Sequence, residues 1–177
     1  MGKDLYTKNF LKKQYMIHQK YTLERKKYST KLKINFRMPS IPEDISENII
    51  KYIIHKNGDK TSRWNCKGDL MSDIEKKQEC KCFTSKGPIS FTPSSNWNSI
   101  YFLDATEWLK NKFKLYKFPY SRTSIEWKNI KVNKTQSFEN QCDQGRRPRI
   151  NWNALYPQIK NKCFKIYEGN ILTLLNR

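Results

Sequence analysis

The sequence predicts an α/β domain, a central mixed β-sheet flanked by helices, and three observations carry that expectation. Lys77 to Phe83 alternates as a two-faced strand does, with Lys77, Glu79 and Lys81 on one side, and Ile100-Tyr101-Phe102-Leu103 is a continuous apolar run suited to a strand covered on both faces. Between Pro42 and Gly58 the apolar residues recur at helical rather than strand spacing.

In chain order, residues 1–40 read as a basic, aromatic N-terminal extension and residues 41–177 as the domain proper; a chain of 177 residues buries roughly two thirds of its unfolded surface without disulfides. Residues 1–38 hold eleven Lys or Arg against Asp4 and Glu24, interleaved with Tyr6, Phe10, Tyr15, Tyr21, Tyr28 and Phe36. That pattern suits an arm for phosphates, or an amphipathic helix packing Phe10, Leu11, Tyr15 and Ile17 on the body, and one helix can do both. Met38 to Pro42 ends the segment. Ser40 as N-cap, Pro42 in the first turn, and Glu43, Asp44 and Glu47 near the positive end of the dipole then start a helix reaching to Gly58. Its apolar stripe is Ile45, Ile49, Tyr52 and Ile53, with Glu47 and Lys51 on the opposite side. Further strands are expected over Phe113–Phe118 and Ile125–Val132, a short helix over Asp104–Asn111, a helix over Asn151–Ile159 and a closing apolar segment over Ile171–Leu175.

Charge narrows the function classes. Thirty-five Lys plus Arg against 16 Asp plus Glu leave a net +19, which favours a polyanion, most simply nucleic acid. Nothing suggests a membrane partner: the N-terminus lacks an apolar signal region and no run approaches a membrane span. Cys66, Cys80, Cys82, Cys142 and Cys163 have neither zinc-finger spacing nor even number, and reduced thiols in a cytoplasmic protein are expected. With only His18 and His55, histidine-based nuclease chemistry is poorly supplied; His18-Gln19-Lys20 has an HxK spacing, but Arg25 stands where the accompanying acid belongs. Phosphate-binding glycine loops and nucleophile motifs are absent from the sequence.

The constellation that carries chemistry is Gly68-Asp69, nine residues, then Glu79-Cys80-Lys81. Residues two apart in a strand share a face, so Glu79 and Lys81 project together while Cys80 and Cys82 turn away. A hairpin would bring Asp69 onto Glu79. Two carboxylates are hard oxygen ligands for Mg²⁺, and a lysine beside them positions water and offsets transition-state charge. Asp73 is a rival first acid, but the chain between it and Glu79 is short for a turn plus strand. This D…ExK arrangement resembles the PD-(D/E)XK nucleases and, among them, the type II restriction endonucleases, over about residues 43–150; Gly68 replaces the family's proline before the first acid. The resemblance implies Mg²⁺-dependent cleavage of double-stranded DNA with Asp69 and Glu79 on the metal, Lys81 serving the water, and Glu47 as an added ligand from the preceding helix. It also implies a homodimer on a palindromic site and a companion methyltransferase.

A second basic cluster, Arg146-Arg147-Pro148-Arg149 after Gly145, holds arginines on a constrained loop suited to clamping phosphates or reading guanine. The alternative is a solvated loop pairing with Glu139 and Asp143. Asn133, Lys134, Gln136 and Asn140 are candidates for base edges, and Lys86 and Ser90, in the loop after Lys81, for the backbone near the cut. The competing classes are a non-catalytic basic module that binds nucleic acid without a divalent ion, and a repair or junction nuclease of the same superfamily.

Overall fold

Thr7 opens the first helix, its hydroxyl accepting from the Phe10 N–H at 3.2 Å. The computed structural model describes residues 6–65 and 68–176, so Met1 to Leu5 and Cys66 lie outside the described residues. Helix α1 spans Lys8–Leu32 and ends where Lys33 turns left-handed at φ 54° and closes onto the Ser29 and Thr30 carbonyls. Leu11 and Tyr15, four apart, share one buried face, whereas Phe10 and Ile17 are 43% and 63% exposed. The reason is angular: at 100° per residue neither falls on the arc that Leu11 and Tyr15 define. The Tyr15 hydroxyl donates to the Trp108 carbonyl at 2.6 Å and to Asn111 Oδ1 at 3.0 Å, so the basic segment is tied to the body.

Helix α2, Glu43–Lys56, is capped by Pro42 rather than Ser40 and has no side-chain cap; Glu43 and Asp44 in its first turn complement the dipole instead. The expected polar side is also buried: Glu47 is 2% and Lys51 5% exposed. Local periodicity misses this because α2 is sandwiched between α1 and the sheet, and so is covered on more than its apolar stripe.

The main sheet runs β1 (Arg63–Trp64), β2 (Leu70–Ser72), β3 (Lys76–Phe83), β5 (Ser99–Asp104), β6 (Lys112–Phe118) and β8 (Phe164–Asn170) in spatial order. β3 and β5 pair in parallel and the other neighbours antiparallel, so the sheet is mixed, as expected. β5 is central and buried on both faces. The crossover from β3 to β5 carries β4 (Pro88–Ser90), which pairs with β7 (Arg149–Asn151) in a separate two-stranded ribbon. The loop after Lys81 is therefore partly strand.

One face packs α1, α2 and α6 (Ile171–Leu175) through a mainly aliphatic core that also holds Tyr15, Tyr101, Trp108 and Phe113; the other packs an aromatic core of Phe91, Trp97, Phe102, Trp127 and Phe138 with α5 (Trp152–Ile159). The strand expected over Ile125–Val132 is instead the single-turn helix α3 (Ile125–Lys128), followed by α4 (Phe138–Asp143). Ser124 caps α3, and the turn drives Trp127 into the aromatic core while leaving Ile125 63% exposed. The helix expected over Asp104–Asn111 shrinks to one 3₁₀ turn, Trp108–Lys110, ended by Asn111 at φ 61°.

Candidate active site

The β2–β3 hairpin places the acids. Leu70 pairs with Gln78 across it, so Asp69, one step before β2, arrives beside Glu79 and Cys80. Its Oδ2 accepts from the Cys80 N–H at 2.6 Å. Lys76 takes the left-handed turn position at φ 59°. Glu75, in the same turn, accepts from Ser99 Oγ at 2.7 Å, the Tyr101 hydroxyl at 2.6 Å and Gln78 Nε2 at 3.1 Å, and pairs with Lys117. That network pins the hairpin to β5 and β6. Asp73, the rival acid, is largely exposed and pairs with Arg63 at 3.0 Å on the far side of the turn.

Strand alternation sorts the rest. Glu79 and Lys81 share a face and pair at 2.6 Å, with the ammonium 5.8 Å from the Phe91 ring. Cys80 and Cys82 pack on the helical face, and burial pushes the Cys82 thiol up to about 12 and Cys80 well above its usual value. Both are poor nucleophiles. Cys80, Cys82, Cys142 and Cys163 are all free thiols.

Helix α2 completes the acidic cluster. Carboxylate oxygens of Glu43, Glu47 and Asp69 all lie within 4.8 Å of one another. The sequence points to Glu47 as a ligand and not to Glu43, although a spacing of four on one helix puts the two on the same side. Glu79 is turned toward Lys81. Burial, then the charge of Glu79, raises the Asp69 carboxyl from 3.8 to about 6, against the opposing pull of the Cys80 N–H and Lys81. Burial alone would lower Lys81, but Glu79 and Asp69 outweigh it and hold its pKa above the ordinary lysine value. Three clustered carboxylates, one reluctant to ionise, fit a hard divalent cation in donor type and number.

The basic loop is attached next to this strand. Ser90 pairs with Arg149 in the β4–β7 ribbon, and Trp152 stacks on Phe83 at 5.2 Å. Arg146, Arg147 and Arg149 are exposed around a buried Pro148, after Gly145 at φ 67°. Glu139 is occupied by Arg122 at 2.8 Å and Lys128 at 3.5 Å, so it does not neutralise this loop. Lys86 is exposed at the turn before β4, and the Ser90 hydroxyl is buried with no hydrogen-bond partner. Asn133 Oδ1 accepts from the Thr135 and Gln136 N–H groups, Asn140 forms a capping box with Ser137, and Gln136 bonds Gln141 and Gln144. These amides brace the loop, while Lys134 beside them is exposed. His18 bonds the Ser40 carbonyl at 2.9 Å and stacks on Trp108, an architectural role.

Among known proteins, the model of the Bsp6I restriction endonuclease family matches residues 8–157 of this chain. The type II restriction enzyme Bsp6I from Bacillus sp. (strain RFL6) is 41% identical over 61 residues, which cover 34% of this chain and 33% of that enzyme. No solved structure matches.

Proposed function

This chain belongs to the Bsp6I restriction endonuclease family, and on that premise we propose that it is a Mg²⁺-dependent type II enzyme cutting double-stranded DNA at a specific sequence. The observation that carries the reading is the convergence of Glu43, Glu47 and Asp69 within 4.8 Å of one another, next to the Glu79–Lys81 pair. When bound, Mg²⁺ neutralises the target phosphate and makes an attendant water more acidic. Asp69 and Glu47, with Glu43, would hold the ion. Glu79 keeps Lys81 cationic and aimed, and its second oxygen remains to orient the attacking water or the metal. Lys81, with its pKa held up by these carboxylates, offsets the charge that grows on the phosphate. Cys80 and Cys82, on the opposite face of β3, take no part.

Arg146, Arg147 and Arg149, held at the end of the ribbon whose first strand begins at Pro88, contact the duplex together with Lys86 and Lys134, while the Ser90 hydroxyl, expected at the backbone near the cut, is buried away from it. A two-fold palindromic site asks for a homodimer, and a host carrying such an enzyme needs a methyltransferase that protects its own DNA. Among the described residues no helix is long and apolar enough to cross a membrane.

The test is incubation with unmethylated phage DNA. Discrete fragments in Mg²⁺ and none in EDTA are expected. DNA that is retarded but uncut in Mg²⁺ contradicts the reading and favours a binding module, and a cut confined to branched substrates points to a junction nuclease.

A further inference from the structure

Helix α1 walls a cleft that the family match does not explain. The cleft, about 1020 Å³, lies between the second half of α1, the linker into α2 and the turn after β5. One side carries Arg25, Lys26 and Arg37; the other carries Thr84 and Ser85, which directly follow β3. Among the described lining residues the acid is Glu107, and Lys110 already pairs with it at 3.2 Å, which leaves three cations outside that pair.

The walls are fixed in place. Arg25 Nε donates to the Arg37 carbonyl at 3.2 Å, with its guanidinium 5.0 Å over Phe36. His18 bonds the Ser40 carbonyl, so α1 holds the linker at two points. Tyr15 and Gln19 tie α1 to the Trp108–Asn111 turn. Clustered guanidinium and ammonium groups beside hydroxyls match phosphate oxygens rather than an apolar ligand.

Position gives the cleft its meaning. Ser40 stands three residues before Glu43, and Thr84 three after Lys81, and three extended residues span at most about 10 Å. Two cleft-lining residues, Ser40 and Thr84, therefore lie within about 10 Å along the backbone of Glu43 and Lys81 respectively. We infer that the cleft holds the phosphate backbone of the DNA duplex flanking the bond to be cut, an inference that rests on the DNA-cutting reading above. α1 and the linker are on this account a wall of the substrate channel.

The test is fluorescence anisotropy of the full chain on a labelled DNA duplex in EDTA across a salt series. Lys26 and Arg37 are exposed, so replacing both leaves the core intact, and matching near-ultraviolet circular dichroism checks it. Lys26→Gln/Arg37→Gln should make the slope of log K against log salt shallower by about 1.8, or 0.9 for each lost phosphate contact. Lys60→Gln/Lys165→Gln, the same charge change away from the cleft, should leave the slope unaltered. Equal slopes for the cleft variant and wild type, or equal losses in both double variants, overturn the inference while the DNA reading stands. Wild-type protein that binds no duplex removes the DNA reading itself, and the cleft's role with it.

Discussion

Replacing Asp69 by asparagine should stabilise the metal-free protein while abolishing its activity. Burial and the Glu79 charge lift the Asp69 carboxyl from 3.8 to about 6. At 1.36 kcal/mol per unit, the folded state carries a penalty of about 3 kcal/mol for holding this group ionised. The sign follows from linkage. Well below pH 3.8 Asp69 is protonated in both folded and unfolded chains and costs nothing; the penalty grows as the unfolded chain ionises above 3.8, and it is fully present above about 6, where the folded group is ionised as well. The asparagine has no charge to bury and keeps an oxygen for the Cys80 N–H, and the loss of the charged acceptor is already contained in the net rise to about 6. The net expectation in EDTA at pH 8 is a gain of about 3 kcal/mol, or about 6–12 °C in melting temperature for a domain of this size. At pH 4 the gain disappears or reverses. Thermal melts of wild type and Asp69→Asn at pH 4, 6 and 8, with cleavage assayed in Mg²⁺, read this directly. A variant destabilised equally at all three pH values refutes the reasoning, because the site would then hold no electrostatic strain for a cation to relieve.

Other consequences are sharper on activity. Glu47→Gln and Glu43→Gln should each raise the Mg²⁺ concentration needed for half-maximal cutting, with DNA binding in EDTA retained; a metal titration identical to wild type removes that residue from the ligand set. Lys81→Ala should slow cleavage by about 10²-fold or more with binding kept, and an unchanged single-turnover rate would make it a bystander. Arg147→Ala should cost about 1–3 kcal/mol in DNA affinity or relax sequence preference at one position; unaltered affinity and cut pattern would confine it to solvent. Trp127→Ala, in the centre of the aromatic core, should cost about 3–5 kcal/mol of stability by chemical denaturation, and a loss below about 1 kcal/mol would mean the core collapses around it.

What was legible in the sequence follows from where the signal is local. α2, β3 and β6 declare themselves because one side of each pattern meets a core, β5 because both of its sides do, and the D…ExK acids follow once β2 and β3 form a hairpin. Ile125–Val132 misleads because a single helical turn around one buried tryptophan leaves no period to read. β8 escapes because most of its residues are exposed or half-exposed at the sheet edge, and β4 and β7 because three residues carry no alternation. The burial of Glu47 and Lys51 depends on α1 lying across α2, which no local pattern records. Glu43 was within reach, four residues from Glu47. The cleft was not, since Arg25, Arg37, Thr84 and Lys110 meet only after folding.

The most direct measurement sets wild type beside Glu79→Ala on one unmethylated DNA, scoring fragments and gel retardation together in Mg²⁺. Discrete fragments are expected from wild type, and from Glu79→Ala retarded DNA that stays whole. Fragments of the same size and rate from both proteins would contradict the reading, because the strand that carries Glu79 and Lys81 would then not be where the phosphodiester is broken.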